Sequence, residues 1–267
     1  MPLRLDPSFR EQLSASDRSL IGVWACSGSP LVTEVAAGSG VDWLLIDMEH
    51  SANTLESTLL QLQVAAAYPV APLVRVPWND QVAIKQVLDL GAQNIIVPMV
   101  SSADEARAAV AATRYPPEGV RGVGSALARS ARWNRVDGYL QESARHTSLT
   151  VQIETAAGVD AAAEIADVDG VDAVFVGPSD LSASMGLLGQ QTHPDLIAAV
   201  EKVFAAVKAA GKSVGVNAFD PVAADAYIAA GADFVAVGAD VALLARATEA
   251  LAARFIPASD DPGRVSY

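Results

Sequence analysis

The chain has 267 residues, and its 18 basic and 31 acidic residues give a formal net charge of −13. A surface this acidic would repel a phosphate backbone, so we expect no nucleic-acid partner. Residues 1–20 are mixed and charged, and no apolar run reaches the roughly 20 residues of a membrane span, so we expect neither a secretion signal nor a membrane anchor. The single cysteine, Cys26, cannot form an intrachain disulfide, and it fits a packed core thiol in a reducing cytoplasm.

Short apolar runs alternate along the chain with alanine-rich stretches. The runs are largely uninterrupted by polar residues, which is typical of parallel strands buried on both faces. We predict strands at residues 20–25, 43–47, 71–76, 94–98, 150–154, 173–177, 213–217 and 234–238. We predict helices at residues 54–68, 80–90, 103–113, 157–167, 194–210, 221–229 and 241–255.

This strand-then-helix order predicts an α/β fold, a closed (β/α)8 TIM barrel. Such a barrel usually takes about 250 residues, so we expect residues 1–267 to form a single barrel domain. Residues 114–133 interrupt the pattern with prolines and glycines, and loops of this length are usually functional or lie at an interface. The polar residues 257–267 are expected to be an arm on a partner subunit or a frayed end.

Two carboxylates follow neighbouring strands at the same end. Glu154 closes the fifth predicted strand, and Asp180 comes shortly after the sixth. Adjacent strands lie about 4.8 Å apart, so these two side chains could share one divalent cation, which prefers oxygen ligands. Each could instead cap a nearby helix, and the residue types alone leave that open.

Other polar residues fall at the same barrel mouth, where the active sites of such barrels lie. Asp47 ends the second strand and His50 follows it, so His50 is either an acid/base residue oriented by a carboxylate or an ordinary loop histidine. Arg75 ends the third strand and needs an anionic partner, which could be structural or catalytic. Asp89 ends the helix after that strand, and Gln152 lies near the end of the fifth.

The turn Gly177-Pro178-Ser179 leaves backbone N–H groups free to hold a carboxylate. Together with two metal-ligating oxygens, an arginine and a histidine, this turn would accommodate a 2-oxo acid. A metal that chelates the carboxylate and ketone oxygens would make the methyl protons acidic. Arg75 would then help to stabilise the enolate charge.

The chain resembles the metal-dependent (class II) pyruvate aldolases of the HpcH/HpaI group, which include aldolases for hydroxy-oxo-heptanedioate and for 2-keto-3-deoxy sugar acids. The resemblance extends over nearly the whole chain and implies a barrel of the phosphoenolpyruvate/pyruvate type. It is carried by residues 45–50, 74–80, 84–92, 95–100, 114–122, 151–155 and 175–181.

The resemblance implies a role for each site residue. Glu154 and Asp180 would bind Mg²⁺, Mn²⁺ or Co²⁺, and Arg75 would stabilise the enolate. His50 would act in acid/base chemistry with Asp47 and Asp89 in support. Gln152 would line the site, and the turn of Gly177, Pro178 and Ser179 would hold the pyruvate carboxylate.

The reaction implied is reversible aldol cleavage of a 4-hydroxy-2-oxo acid into pyruvate or hydroxypyruvate and an aldehyde, in a cytoplasmic homo-oligomer, typically a hexamer. Three alternatives stay open: a Schiff-base aldolase, a citrate-lyase-like enzyme acting on acyl-CoA thioesters, and a non-catalytic sugar-acid binding protein. The first is disfavoured because all four lysines fall on helices or just after one, and none ends a predicted strand.

Overall fold

A computed structural model describes residues 3–124 and 126–256, and the predicted arm at 257–267 lies outside these residues. The strands are β1 (Leu20–Ala25), β2 (Trp43–Asp47), β3 (Ala71–Arg75), β4 (Asn94–Val97), β5 (Ser148–Ile153), β6 (Ala173–Val176), β7 (Ser213–Asn217) and β8 (Phe234–Ala239). They form a closed, parallel barrel in sequential order, with β8 pairing to β1. This confirms the predicted TIM barrel, and all eight strands lie where the apolar runs predict them.

Helices cover the outside of the barrel. They are α1 (Phe9–Ala15), α2 (Pro30–Ala37), α3 (Leu55–Ala65), α4 (Gln81–Asp89), α5 (Ala103–Thr113), α6 (Tyr139–His146), α7 (Ala156–Asp160), α8 (Ala162–Ala166), α9 (Pro178–Ser184), α10 (Pro194–Ala209), α11 (Pro221–Ala229) and α12 (Asp240–Phe255). Four of these, α1, α2, α6 and α9, are absent from the sequence prediction. They have 7, 8, 8 and 7 residues, and such short segments give little periodic signal. The predicted helix at 157–167 is two short helices, α7 and α8.

Aromatic side chains fill the amino-terminal end of the barrel. Phe9 of α1 packs edge-on against Phe234, with 5.2 Å between ring centroids, and also contacts Trp43. Phe175 joins the same group. This end is a packed core with α1 as its plug, so a site that admits substrate must lie at the other end.

The last helix, α12, is the least buried of the long helices. Asp240 is its only buried residue, whereas Leu243, Leu244, Leu251 and Phe255 are 58–72% exposed. The first outer helix, α2, likewise exposes Leu31 and Val35. An apolar surface of this kind is typical of a face that another protein surface covers. No described helix is long and apolar enough to cross a membrane.

Candidate active site

The candidate site lies at the carboxyl ends of two pairs of neighbouring strands, β2 with β3 and β5 with β6. In the register of β2 and β3, Asp47 stands opposite Arg75. In that of β5 and β6, Ile153 stands opposite Val176, so the residues that follow them, Glu154 and Gly177, also come together. Parallel pairing therefore brings residues from four chain segments to the mouth of one barrel.

Arg75 is held on two sides by carboxylates. Its Nε and Nη2 donate to the two oxygens of Asp47, at 2.8 and 2.9 Å, while its Nη1 lies 2.8 Å from Oε2 of Glu49. Arg75 is 2% exposed and Asp47 is fully buried. The guanidinium also lies 4.2 Å from the ring centroid of Trp24. A charge buried with this bidentate geometry is fixed in one orientation, which suits it to meet charge that develops on a substrate.

Glu154 is buried and is oriented by two donors. The Met99 N–H donates to its Oε1 at 2.7 Å, and Nε2 of Gln152 donates to its Oε2 at 2.6 Å. Met99 has a φ of 57°, a left-handed conformation that costs a residue with a side chain about 1 kcal/mol or more, and its N–H is one of the two groups that position this carboxylate. Strain of this kind often marks a functional site.

Because Gly177 has no side chain, the side chains of Glu154 and Gln152 can occupy the space beside it. A Cβ at this position would lie 2.7 Å from both Glu154 Oε2 and Gln152 Nε2. Gly177 is also the N-cap of α9 and brings no side chain to its first N–H groups. The turn predicted to hold a carboxylate therefore has uncapped donors, with Pro178 buried and Ser179 and Asp180 exposed.

The mouth carries an excess of negative charge. The pKa of Glu154 is raised to about 7, first by burial and then by the charges of Glu49 and Asp180, against the lowering effects of the Met99 N–H and Arg75. Burial also raises the pKa of Glu49. The charges of Arg75 and His50 oppose this shift, and those of Asp47 and Asp180 add to it. Asp180 thus acts electrostatically on both buried acids. A cation between Glu154 and Asp180 would offset this repulsion.

Besides Glu49 Oε2, which has only its ion pair with Arg75, three buried polar atoms at the mouth have no hydrogen-bond partner among the described residues: Trp24 Nε1, Gln152 Oε1 and Asn217 Oδ1. They come from the ends of β1, β5 and β7. Buried polar atoms are normally paired, so these unpaired atoms indicate a place for a polar ligand. Within residues 3–124 and 126–256, no group of three or more His, Cys, Asp or Glu side chains is arranged to hold a metal.

His50 and Asp89 are not brought together by the chain. The side chain of His50 is 63% exposed, and its Nε2 lies 3.7 Å from Oε1 of Glu49. Asp47 accepts from the His50 backbone N–H, at 3.3 Å, and so supports the loop rather than the imidazole. Asp89 ends α4, which runs back to the other end of the barrel, and it pairs there with Arg121 at 3.0 Å. The predicted support of His50 by Asp89 is not made within one chain.

Three contributions to the site were absent from the sequence prediction: Glu49, Trp24 and the Met99 N–H. Glu49 lies two residues past Asp47, so alternation along the chain could have placed both acids on one side. Nothing in the sequence indicates that Met99 is left-handed. Cys26 is half-buried near the same mouth, and burial raises the pKa of its thiol to about 12, so it stays protonated at neutral pH.

The fold and this mouth define a (β/α)8-barrel enzyme with an arginine set among carboxylates. Residues 20–247 match the HpcH/HpaI aldolase/citrate lyase family, and the chain belongs to that family. It is 52% identical over 248 residues to a 4-hydroxy-2-oxo-heptane-1,7-dioate aldolase of Salmonella dublin, covering 93% of this chain and 94% of the relative. With curated aldolases at this identity, the chain is a carbon–carbon lyase.

Solved structures agree with this assignment. A family protein from Burkholderia cenocepacia J2315 superposes with a TM-score of 0.89 at 40% identity, covering 93% of this chain and 99% of that one. A citrate synthase, SbnG, superposes with a TM-score of 0.83 at 29% identity, covering 93% and 97%. Solved structures similar to this chain are thus named for different carbon–carbon chemistry.

Proposed function

We propose that this chain catalyses the reversible aldol cleavage of 4-hydroxy-2-oxo acids into pyruvate, or hydroxypyruvate, and an aldehyde. The observation that carries the proposal is that a buried Arg75, fixed by Asp47 and Glu49, lies at the same barrel mouth as a buried Glu154 whose pKa the charge of Asp180 helps to raise. The identity to the Salmonella dublin aldolase supports the same reaction and points to a dicarboxylic substrate of the heptanedioate type.

We propose Glu154 and Asp180 as ligands of a divalent cation, Mg²⁺, Mn²⁺ or Co²⁺. The donor set is all oxygen, and the raised pKa of Glu154 supports this proposal because a nearby cation would stabilise the ionised carboxylate. When bound, such an ion polarises the 2-oxo group and neutralises the acidic mouth. Gln152 would keep Glu154 in place through its 2.6 Å hydrogen bond.

The C3–C4 bond breaks, the C4 hydroxyl proton leaves, and the bonding electron pair moves onto the 2-oxo group to give the pyruvate enolate and an aldehyde. The enolate then takes a proton at C3. Arg75 donates to the developing oxyanion, and the uncapped N–H groups at Ser179 hold the substrate carboxylate. His50, exposed next to Glu49, is placed to exchange the hydroxyl proton.

The decisive experiment is pyruvate release from 4-hydroxy-2-oxoheptanedioate by the full chain, with and without a chelator. We expect chelation to stop turnover and added Mg²⁺, Mn²⁺ or Co²⁺ to restore it. Turnover that persists in a chelator, together with a borohydride-trapped pyruvate adduct, would overturn the metal proposal. The structure gives no lysine for such an adduct at the mouth, because Lys85, Lys202 and Lys208 lie on outer helices and Lys212 donates to carbonyls before β7.

The other family chemistries are outcomes of the same assay. Activity on an acyl-CoA thioester with none on the hydroxy-oxo acid would indicate a citrate-lyase-like enzyme. Binding of a sugar acid without turnover would indicate a non-catalytic protein. A panel of aldehydes offered with pyruvate and with hydroxypyruvate would then identify the second substrate.

We also propose a cytoplasmic homo-oligomer, with a hexamer as the expected form. The exposed apolar side chains of α12 and α2 support contact with further copies of this chain. Light scattering of the purified chain should give the mass of the oligomer, and Leu244→Glu should reduce it. An unchanged mass after Leu244→Glu would place the interface elsewhere, and a monomeric wild-type chain would remove the proposal.

A further inference from the structure

A cavity lies at the amino-terminal end of the barrel, away from the candidate active site. Its volume is about 320 Å³. The segment between α5 and α6 contributes Arg129 and Arg132, the turn after α4 contributes Gly91, and the chain before α1 contributes Asp6. None of these residues has a place in the proposed aldol chemistry.

Two half-buried guanidinium groups meet in this cavity. A Cβ placed on Gly91 would lie 2.7 Å from Nη1 of Arg129 and 2.9 Å from Nη1 of Arg132. Gly91 has a φ of 94°, a conformation that disfavours any residue with a side chain. Two positive charges are therefore packed around one bare backbone position.

No carboxylate neutralises this pair at close range. The Nη1 of Arg129 donates to the Leu90 carbonyl at 3.0 Å, and that of Arg132 donates to the Arg129 carbonyl at 2.7 Å. Within the described residues, no ion pair of 4.0 Å or less involves either arginine. Burial and the charge of Arg132 lower the pKa of Arg129, and burial lowers the pKa of Arg132 while Asp6 and Tyr139 oppose that shift.

The backbone that presents Arg132 is itself unusual. Arg132, Trp133 and Asn134 have φ values of 49°, 55° and 63°, so three successive residues are left-handed without a glycine. Each such residue costs on the order of 1 kcal/mol or more. The chain therefore keeps an unfavourable turn that holds Arg132 next to Arg129, although the two guanidinium groups repel each other.

We propose that Arg129 and Arg132 form a binding site for a small dianion with oxygen donors, either inorganic phosphate or a short dicarboxylate. Guanidinium groups match the geometry of both, and a dianion would neutralise the pair. The cavity, at about 320 Å³, has room for an ion of this size. The site is separate from the mouth and does not depend on the proposed function.

The test is isothermal titration of the full-length, chelator-treated protein at fixed ionic strength. The probes are inorganic phosphate, succinate, acetate and chloride. We expect phosphate or succinate to bind at least tenfold more tightly than acetate or chloride, and the stronger of the two identifies the source. Equal, weak responses to all four probes would overturn the proposal.

Variants locate the binding. Arg132→Gln and Arg129→Gln should each weaken the preferred dianion at least tenfold. Arg145→Gln is the matched control, because it removes an arginine that is 71% exposed from the end of α6. Arg75→Lys, at the mouth, should leave the affinity unchanged. If the Arg129 and Arg132 variants bind as the wild type does, or if Arg75→Lys abolishes binding, the cavity is not the site.

If a variant does not fold, the wild-type protein still allows a direct test. Crystals soaked in phosphate or succinate should show the anion between the guanidinium groups of Arg129 and Arg132. Density only at the barrel mouth would overturn the proposal.

Discussion

The two ends of the barrel carry opposite unmet charges. At the mouth, one buried guanidinium, Arg75, lies among Asp47, Glu49, Glu154 and Asp180, so negative charge is in excess. At the amino-terminal end, the guanidinium groups of Arg129 and Arg132 lie together, and among residues 3–124 and 126–256 their hydrogen bonds go to carbonyls. Because a buried charge without a counter-charge is costly, the first end calls for a cation and the second for an anion.

The arginines at the two ends of the barrel also differ in how their guanidinium groups are paired. Arg75 is held in one orientation by contacts from its Nε, Nη2 and Nη1 to Asp47 and Glu49, and its two remaining N–H groups can meet charge as it forms. Arg129 and Arg132 each make one hydrogen bond through Nη1 and keep further donors free for a ligand. We therefore interpret Arg75, which is paired with carboxylates, as a positioned catalytic group. We interpret Arg129 and Arg132, which are not paired with carboxylates in the described part of the chain, as ligand-binding groups.

The largest expected effect comes from removing one negative charge at the mouth. Asp180→Asn and Glu154→Gln should each lower metal-supported kcat/KM about a thousandfold or more, because a Lewis acid contributes several kcal/mol to such a reaction. Titration of the metal should show that each variant has lost binding. Glu164→Gln, on the exposed face of α8, is the control and should behave as the wild type. Full activity in Asp180→Asn would show that the acidic excess does not serve a cation.

The excess of negative charge at the mouth should also affect the free energy of unfolding. The pKa of Glu154 is raised from an ordinary 4.5 to about 7 in the folded chain, so the unfolded carboxyl ionises first as pH rises. In a chelator, the free energy of unfolding should therefore fall between about pH 4.5 and pH 7, by on the order of 3 kcal/mol from this group. Denaturant titrations across this range measure it. Glu154→Gln should flatten the slope, and an equally steep slope in that variant would contradict the assignment.

Much of the fold follows from the sequence because each strand is a continuous apolar run bounded by turn residues. The eight runs sit at the eight strands, and helices such as α10 have clear length and caps. The short helices were not predicted because one or two turns give no measurable hydrophobic periodicity. Helix α1 also lies outside the repeating strand-helix unit. Its role as a plug depends on contacts between Phe9 and distant aromatic residues.

Part of the site follows from the sequence for a similar reason. Parallel strands end at one face, so Arg75, Asp47, Glu154 and Asp180 could be placed at the mouth from their positions after apolar runs. The partner of each group could not be predicted, since it depends on register and on loop conformation. Glu49 beside Arg75 and the Met99 N–H on Glu154 are the clearest examples.

A smaller effect should follow from exchanging Arg75 for lysine. Arg75→Ala would leave Asp47 buried and unpaired, which would cost several kcal/mol in stability and confuse the result. Arg75→Lys keeps a positive charge but cannot hold Asp47 in a bidentate pair and reach Glu49 as well. We expect about a hundredfold loss of kcat/KM with metal affinity retained. Steady-state kinetics and metal titration together test this, and loss of the metal instead of the rate would assign Arg75 to the metal site.

The smallest effect should come from Glu49, which we regard as a positioning residue for Arg75. Its Oε2 lies 2.8 Å from Nη1 of Arg75, while the bidentate pair with Asp47 stays in place without it. Glu49→Gln should therefore lower kcat/KM only about tenfold. Its absence should also lower the pKa of Glu154, because the Glu49 charge raises that pKa, so the metal should bind at lower pH than in the wild type.

Glu49→Asp is the matched control for that prediction, since it keeps the charge and shortens the side chain. It should preserve the wild-type pH dependence of metal binding while losing part of the rate, which separates the electrostatic effect of Glu49 from its contact with Arg75. If Glu49→Gln is as slow as Arg75→Lys, Glu49 does more than hold the guanidinium and itself exchanges a proton with the substrate. The neighbouring imidazole of His50, 3.7 Å from Glu49, would then be its proton partner, and the assignment of acid/base chemistry to His50 alone would be replaced by a shared pair.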